Sequence, residues 1–490
     1  MAFEPVLASQ IKQWSGDFDV VVVGFGGAGA CAAIEAADAG AEVVIFEAAS
    51  APGGSTALSS AELYLGGGTA IQRAVGYDDD PEAMAEYLIA ANGPQADPAK
   101  IRAYSQGGAE HLDWLVAQGV PFKATEYPYR AMLALTDDCL LYTGSEKAWP
   151  YVQQFSHAPR GHNLQVEGDN GGPLLMKTLG SAVEARRVSI HLEARVLKLI
   201  VDQYGPEGSV VGVVVRQDME QHCFRAKRGV VLCAGGFVMN EAMLDRYAPG
   251  LKRATVPIGN PNDTGSGIRL GQSVGGATLN MHEGFVSLPF YPPASLTYGI
   301  LVNGHGQRFI NEDAYHGRVG AYLLNQEGPV YFILSVGDYA DYETSSYLGA
   351  PVVATGESLV ELIEELPIAS EALKATIDCF NRDALAGVDT RFHKDVQWLK
   401  PLTPPFVALD CTPGNGAYFP YFTLGGLETT VSGQVLNTDG RVIPGLYAAG
   451  RTACGVPRRG DGYASGTSVG DATFSGRLAG RAAAHRGQSS

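Results

Sequence analysis

Two features that place proteins in membranes or on nucleic acids are missing from this sequence. The longest apolar run, from Val20 to Ile34, is 15 residues, whereas a helix that spans a bilayer takes about 20. Basic residues are few, because 35 Lys and Arg stand against 52 Asp and Glu and give a net charge of -17. Nucleic acids and anionic membranes bind basic surfaces. We therefore expect no transmembrane segment and no nucleic-acid partner.

Cysteine pairs and a secretion signal are also missing. The seven cysteines are an odd number with no C-x-x-C spacing, so neither a disulfide framework nor a metal site is expected. The residues before Asp19 contain no basic region followed by an apolar run and no twin arginine, which a signal peptide would have. These observations predict a cytoplasmic protein.

Length and glycine content indicate a large ligand. A chain of 490 residues exceeds one ordinary core and predicts two domains, one of them inserted in the other. The 62 glycines cluster in short groups such as Gly66–Gly68. Such groups suit a backbone that approaches a ligand closely.

A dinucleotide fingerprint stands near the start of the chain. Val20–Val23 is a buried strand pattern, and it leads into Gly24-Phe25-Gly26-Gly27-Ala28-Gly29 and then a helix. In this G-x-G-x-x-G motif the glycines allow a tight turn, a close approach to pyrophosphate and close packing of helix on strand. Glu47 ends the next strand, where its carboxylate can accept hydrogen bonds from ribose hydroxyls.

Further turns indicate FAD rather than a nicotinamide. The loop Ala51-Pro52-Gly53-Gly54-Ser55-Thr56 follows Glu47 and carries hydroxyls. Two more strand patterns end in glycine turns, at Ala234-Gly235-Gly236 and at Gly450. Three such turns suit a cofactor that extends across a whole domain.

The rest of the chain alternates in composition. Helical periodicity predicts helices around 81–92, 98–118, 172–186, 357–366, 369–386 and 466–484. Residues 188–232 predict a β-meander, and Asp439-Gly440 a turn between short strands. We predict an α/β protein in which a Rossmann-like domain flanks an inserted α+β domain.

The blocks APGGSTALSS, VVLCAGGF, FTLGGLETT, GLYAAG and ASGTSVGDATFSGRLAG, added to the fingerprint, resemble the FAD-dependent fumarate reductase/succinate dehydrogenase superfamily over nearly the whole chain. The resemblance implies an FAD-binding domain of residues 1–280 and 410–490 and a capping substrate domain of residues 281–409. Relatives with covalent flavin have a His after the Gly-Gly pair, but none occurs between 48 and 70, so non-covalent FAD is expected. The residues expected to bind it are Gly24, Gly26, Gly27, Ala28, Gly29, Glu47, Gly53, Gly54, Ser55, Thr56, Ala234, Gly235, Gly450 and Ser468.

The substrate segments depart from the fumarate reductases. Those relatives bind a dicarboxylate through arginines, and at the matching positions this chain has Tyr315 and Tyr463. Phenols suit a neutral ketone, and the aromatic runs at 285–291 and 418–422 could wall an apolar cleft, although either could equally be core. These features resemble the 3-ketosteroid dehydrogenase branch. With Ser465 they are most similar to the enzymes that introduce a 4,5 double bond into 5α-3-ketosteroids.

That resemblance implies the roles of three catalytic residues. Tyr463 would hold the ketone oxygen, Ser465 would take the α-proton and Tyr315 would relay it, while flavin N5 accepts the hydride. Alternatively, Ser465 only caps the final helix. Arg458 and Arg459 are interpreted as a solvated loop pair rather than an anion site, and His162 and His316 as surface or supporting residues.

Three functions remain open from the sequence. The favoured one is the 4-ene-forming dehydrogenase with an unidentified electron acceptor. The second is a 3-ketosteroid 1,2-dehydrogenase or another flavoenzyme that forms or reduces an enone. The third is a flavin-binding redox sensor without turnover.

Overall fold

The structure is a computed structural model that describes residues 3–205, 207–342 and 346–487. Its α-helices are Gly27–Asp38, Ala70–Ala74, Pro81–Asn92, Pro98–Ala117, Tyr151–Gln154, Gly171–Ala185, Glu241–Tyr247, Ser266–Ser273, His316–Leu324, Val336–Tyr339, Leu359–Glu365, Ser370–Ala386 and Thr467–His485. Short 3₁₀ helices are Ala8–Gln10, Thr56–Leu58, Gly93–Gln95, Pro249–Arg253, Ala294–Tyr298, Val396–Trp398 and Gly450–Thr452. Among the helices described, none has the length and apolar content to cross a bilayer.

The strands are numbered in chain order. They are β1 Val6–Leu7, β2 Gly16–Val23, β3 Val43–Phe46, β4 Leu63–Tyr64, β5 Leu140–Leu141, β6 Gly161–His162, β7 Ser189–His191, β8 Arg195–Val201, β9 Val210–Gln217, β10 Glu220–Leu232, β11 Val256–Pro257, β12 Thr278–Leu279, β13 Gly284–Val286, β14 Ile300–Asn303, β15 Val330–Ser335, β16 Val352–Gly356, β17 Phe406–Asp410, β18 Pro420–Thr423, β19 Gly426–Leu427, β20 Gln434–Leu436 and β21 Val442–Ala448.

A parallel sheet forms the centre of the molecule. Strands β21, β10, β2, β3 and β7 pair side by side and in parallel. The central residues of β2, β3, β10 and β21 are buried Val, Ile and Leu, which is what a strand covered on both faces requires. The edge strand β7 is half-buried. The first half of β10 pairs antiparallel with β9, and β9 with β8, to extend the same sheet.

Strands that run in parallel end at the same edge. β2 leads into Gly24, β3 into Glu47, β10 into Cys233 and β21 into Ala449. Gly24 has a φ of +103°, and a Cβ there would lie 2.4 Å from the carbonyl oxygen of Cys233. Only glycine fits this turn, because the two strand ends approach each other so closely.

The final helix, Thr467–His485, packs along the first helix, Gly27–Asp38. A Cβ at Gly476 would lie 2.3 Å from the carbonyl oxygen of Ala28, and one at Gly480 would lie 2.1 Å from that of Ala32. The small residues of both helices therefore let their backbones approach closely. The N-terminus of the final helix lies against β4, where a Cβ at Gly466 would be 2.5 Å from Tyr64 N.

A separate antiparallel sheet lies within the segment predicted as the capping domain. Its order is β14-β15-β17-β16, and the helices Leu359–Glu365 and Ser370–Ala386 cover it with an apolar core of their own. The small sheet β11-β18-β13 carries Phe285 and Phe422.

The predicted Rossmann-like α/β fold class is confirmed, and the predicted helices occur within a few residues of their expected positions. Two strand predictions were wrong in detail. Ser189–His191 pairs in parallel with β3 rather than within the meander, and the strand after Asp439-Gly440, predicted as short, continues without a break over Val442–Ala448. The proposed domain boundaries stay predictions.

Candidate active site

A long cleft follows the carboxyl edge of the parallel sheet. Turns after four neighbouring strands line it, together with the loop after Glu47. Of the residues predicted to bind the cofactor, those on the lining are Gly24, Gly26, Gly27, Ala28, Glu47, Gly54, Ser55, Thr56, Ala234, Gly235 and Gly450.

The glycines of this cleft test whether a dinucleotide fits. Gly26 has a φ of -88°, which any residue adopts, and a Cβ there would meet no protein atom closer than 3.7 Å, at Gly53 O. Packing within the protein therefore does not require glycine at Gly26. A Cβ would instead fill cleft space, which is what a close approach to a pyrophosphate needs. The residues present fit FAD.

The carboxylate of Glu47 is buried at the edge of the cleft. It accepts hydrogen bonds from Phe25 N–H (2.7 Å) and Ala49 N–H (2.8 Å). Each carboxylate oxygen has lone pairs left for further donors, such as ribose hydroxyls. Glu47 thus also fixes the glycine turn that surrounds it.

Three predicted cofactor residues do not line the cleft. A Cβ at Gly29 would lie 2.0 Å from Gly24 O, so this glycine supports the turn from behind. Gly53 N–H donates to Phe25 O (2.8 Å), which holds the two loops together. The Ser468 hydroxyl bonds to Tyr463 and belongs to the second site described below.

Polar residues that the sequence analysis missed complete the cleft. The Ser55 hydroxyl donates to Asp263, and burial raises the pKa of that carboxyl. Arg195 donates to Asn262 Oδ1 (2.6 Å) beside it. No local motif marks Arg195, Asn262 and Asp263, since each lies far in sequence from the fingerprint.

The three predicted catalytic residues lie in one cluster, in which both tyrosines are buried and Ser465 is half-buried. The hydroxyls of Tyr315 and Ser465, 150 positions apart in the chain, are 2.5 Å from each other and share a hydrogen bond. Tyr463 joins Tyr315 in one apolar group with Phe285 and Leu424. The structure therefore brings together the residues that the sequence placed in separate segments.

Ser465 does not cap the final helix in this structure. The cap is Gly466, with a φ of +89° and no side chain to bond. Ser465 is fixed instead by Thr143, whose carbonyl accepts its N–H (2.8 Å) and whose hydroxyl donates to its carbonyl (3.0 Å). The serine hydroxyl is thereby left to meet Tyr315.

Tyr463 is held at the first turn of the final helix. Its hydroxyl donates to Ser468 Oγ (2.7 Å), and Ser468 N–H donates back to the phenol oxygen (3.3 Å). Arg451, a residue that the sequence analysis missed, donates to the same Ser468 Oγ (2.9 Å). The phenol thus lies among positive dipoles and a guanidinium.

Aromatic rings wall this cluster. Phe285 stacks on Phe422 with ring centres 4.8 Å apart and lies 4.7 Å from the ring of Tyr463. Arg451 covers Phe422 at 3.9 Å from its centre. The aromatic runs that could have been plain core therefore contribute Phe285 and Phe422 to the walls of the cluster.

Burial sets the protonation of the cluster. It raises the pKa of Tyr315 well above its usual range and raises that of Tyr463, which Arg451 lowers in part. Burial and the charge of Arg130 lower the pKa of His316 to about 3. Both phenols and the imidazole are therefore neutral at ordinary pH.

Glu62 is a buried acid that the sequence analysis missed. Within the described residues, its two carboxyl oxygens have no hydrogen-bond partner, and its backbone lies against Gly466. Burial raises its pKa well above the usual range, so the protonated acid is favoured beside Tyr315 and Tyr463.

One sequence interpretation was wrong. Arg458 is not solvated, because it is buried and pairs with Asp97 (2.9 Å), which leaves it unavailable to an anion; Arg459 pairs with Asp461 (2.6 Å). Of the two roles expected for His162 and His316, the contacts favour that of supporting residues, because both are buried. His162 bonds Thr69 and the Arg160 carbonyl, and His316 Nδ1 bonds Ser287 Oγ (2.6 Å).

Arg160 is fully buried and paired with Asp79 (2.8 Å). Its guanidinium therefore supports the fold around Asp79.

Comparison with known proteins agrees with this geometry. The FAD binding domain family matches residues 19–462. The chain is similar to the crystal structure of 3-ketosteroid-Δ4-(5α)-dehydrogenase from Rhodococcus jostii RHA1 in complex with 4-androstene-3,17-dione, at 39% identity and a TM-score of 0.92, covering 98% of this chain and 100% of that one.

Two curated relatives are more distant. The 3-oxo-5-alpha-steroid 4-dehydrogenase of Comamonas testosteroni is 28% identical over 89% of this chain and 93% of its own length. The fumarate reductase (cytochrome) of Shewanella frigidimarina is 28% identical over 95% of this chain and 77% of its own. The family match covers most of the chain, and the cleft fits its cofactor. The protein therefore belongs to the FAD binding domain family, as an FAD-dependent oxidoreductase.

Proposed function

We propose that the protein dehydrogenates a saturated 5α-3-ketosteroid and introduces the double bond between C4 and C5. The observation that carries this proposal is the hydrogen-bonded pair Tyr315–Ser465, 2.5 Å between hydroxyls, in one aromatic-walled cluster with Tyr463. The similarity to the Rhodococcus jostii dehydrogenase, at 39% identity over nearly both whole chains, supports it.

Tyr463 holds the ketone oxygen in this proposal. Its hydroxyl turns from Ser468 Oγ to the ketone, while Ser468 N–H continues to donate to the phenol oxygen. The neighbouring guanidinium of Arg451 and the helix N-terminus favour negative charge that develops on the ketone oxygen. Stabilising the enolate oxygen lowers the cost of removing the proton from C4.

Ser465 takes the C4 proton. A serine hydroxyl is a weak base unless its own proton leaves at the same time, and Tyr315 is placed to receive that proton. Because the pKa of Tyr315 is raised, its phenol stays neutral: it releases its own proton towards solvent as it receives that of Ser465. Tyr315 and Ser465 therefore act as one relay.

The hydride leaves C5, and accepting it is the chemistry that FAD supplies when bound. Loss of the C4 proton and the C5 hydride forms the double bond and balances the step. The residues that would hold the cofactor are those of the cleft at the carboxyl edge of the sheet, and we propose that FAD is bound non-covalently.

The contacts of the nearby arginines favour a neutral substrate, because their guanidinium groups already bind protein atoms. Arg451 is committed to the Thr423 carbonyl and to Ser468, and Arg458 to Asp97. A dicarboxylate needs several free cations to offset its desolvation. An apolar ketone beside the stacked rings of Phe285 and Phe422 needs one donor and apolar walls.

We also propose a reducing compartment, the cytoplasm, and a separate electron acceptor that reoxidises the flavin. The seven cysteines are free, and six of them are buried, an arrangement typical of proteins that never meet an oxidising environment.

The test is anaerobic mixing of the yellow holoenzyme with a saturated 5α-3-ketosteroid, followed by absorbance of the flavin and proton NMR of the product. We expect bleaching and a product with a single vinyl proton at C4. Two coupled vinyl protons at C1 and C2 would instead establish a 1,2-dehydrogenase.

Two further outcomes would contradict the proposal. Efficient reduction of fumarate with a reduced dye would show that the substrate is a dicarboxylate. No bleaching with any 3-ketosteroid would favour a redox sensor. Acid precipitation in the same preparation should release all the FAD.

A further inference from the structure

We propose that Arg130 is a positioning residue that fixes Tyr315 for proton transfer. Its guanidinium donates to three consecutive backbone carbonyls, those of Glu312 (3.4 Å), Asp313 (3.0 Å) and Ala314 (3.0 Å). These are the residues directly before Tyr315. Arg130 lies 183 positions away from Asp313 in the chain, so the contact is purely tertiary.

The same arginine also acts on the residue after Tyr315. Its guanidinium lies 4.0 Å from the centre of the Tyr291 ring, and the Tyr291 hydroxyl accepts the N–H of His316 (3.1 Å). The Tyr315 N–H itself donates to Ser145 Oγ (3.3 Å). Arg130 therefore fixes the backbone on both sides of Tyr315.

Such a clamp is needed because Tyr315 begins a helix without a side-chain cap. The carboxylate of Glu312 is tied from the other side by Arg308 (2.8 Å) and Lys394 (3.2 Å). Without Arg130, the carbonyls of residues 312–314 would lose their charged donor, while the ion pairs of the Glu312 carboxylate would remain. The segment would then rotate and lengthen the Tyr315–Ser465 contact.

The chain offers a matched control at the far end of the same helix. Arg253 donates to the Leu324 carbonyl and to the Gln326 carbonyl (3.0 Å). It is an arginine clamp on backbone carbonyls, as Arg130 is, but it lies where the helix His316–Leu324 ends. Arg253→Ala should cost stability without moving Tyr315.

The inference rests on the proposed function only for the role of Tyr315 in the relay. Arg130→Ala should lower kcat by about 10²-fold with KM unchanged, since a small misplacement of a catalytic group has that effect. Arg130→Lys should recover part of the rate, and Arg253→Ala should leave kcat nearly unchanged. A raised KM with normal kcat would overturn the proposal, because Arg130 would then contact substrate.

A double-mutant cycle separates positioning from general damage. In the Tyr315→Phe background, Arg130→Ala should cost no more than about twofold, because the group that it positions is already lost. An undiminished loss in that background would overturn the proposal. Arg253→Ala should be additive in both backgrounds.

Hydrogen exchange followed by mass spectrometry tests the clamp without any turnover. Arg130→Ala should raise exchange in peptides that cover 314–320, and Arg253→Ala only in those that cover 322–327. Unchanged exchange at 314–320 in Arg130→Ala would overturn the clamp. If wild type turns over no 3-ketosteroid, the proposed function fails, and this measurement still decides the inference.

Discussion

The flavin cleft and the tyrosine–serine cluster are built in opposite ways. The cleft consists mainly of backbone turns at the ends of parallel strands, and glycine is required where strands or ligand approach. The cluster consists of side chains from distant segments, such as Tyr315 and Ser465, 150 positions apart. A motif can therefore encode the cleft locally, whereas the cluster exists only when the segment of Tyr315 is docked.

The two regions also differ in what a substitution changes. In the cleft a methyl group can decide whether the turn forms or the cofactor fits. In the cluster the loss of one hydroxyl should leave the packing of Phe285 and Phe422 intact, because that packing is made by rings. Variants of the two regions should thus separate chemistry from cofactor binding.

The largest effect is expected for Ser465→Ala. Loss of the proton acceptor should lower kcat by about 10²–10⁴-fold, while FAD and steroid still bind and the flavin spectrum still responds. Stopped-flow flavin reduction measures it. The control is Thr467→Ala, which removes a hydroxyl bonded to Ala464 O (2.8 Å) in the same turn and should cost only stability. Normal turnover in Ser465→Ala would eliminate the serine base and weaken the case for a 4,5 double bond.

Tyr463→Phe should follow, with kcat lower by about 10²–10³-fold, because an oxyanion-type donor is lost. The ring and its contacts remain, so the yellow colour and the melting temperature should stay near wild type. Steady-state kinetics with a fixed dye acceptor gives the comparison. A change in KM alone would mean that Tyr463 contributes binding rather than stabilisation of the enolate.

The cleft is tested by a pair of glycines. Gly24→Ala places a Cβ 2.4 Å from Cys233 O at a φ of +103°, and should destabilise even the apoprotein by on the order of 1–3 kcal/mol. The Cβ that Gly26→Ala adds would meet no protein atom closer than 3.7 Å. This variant should leave apoprotein stability unchanged and weaken FAD binding by about 1–3 kcal/mol.

Thermal unfolding of the apoproteins and FAD titration measure the two effects. Equal loss of apoprotein stability in both glycine variants would show that Gly26 serves the fold rather than the cofactor.

The smallest effect at neutral pH concerns buried His162. Burial lowers its pKa from 6.5 to about 4, so between those values the unfolded chain binds a proton that the folded protein does not. Stability is therefore full above pH 6.5 and falls as pH drops towards 4, by about 3 kcal/mol in total. Urea unfolding of wild type and His162→Gln across this range should show a shallower pH slope in the variant.

Asp471 changes stability with pH in the opposite direction to His162. The slope of wild type alone therefore mixes both residues, whereas its difference from His162→Gln isolates His162. Burial raises the pKa of Asp471 to about 6, so the charged carboxylate lowers the stability of the folded protein above pH 6. This loss of stability disappears as pH falls from 6 towards the ordinary pKa of an aspartate. Identical slopes for wild type and variant would mean that His162 takes up its proton without unfolding.

The sequence alone determined the nucleotide half of the protein. The strand before Gly24, the glycine spacing and Glu47 at the end of β3 predict the turn and the cofactor, because all three are local to one βαβ unit. Tyr315, Tyr463 and Ser465 could be selected by resemblance to a family, but not by any spacing within the chain.

Tertiary structure decided everything that depends on distant segments meeting. No pattern in the sequence indicates that Thr143 holds Ser465, that Arg451 donates to Ser468, or that Arg458 is buried against Asp97. Burial also decided the protonation of Glu62 and His316, since a pKa depends on surroundings that no local pattern encodes. The sequence determines strand ends and turns because these are local, and the structure determines the reactive cluster because it is made of contacts.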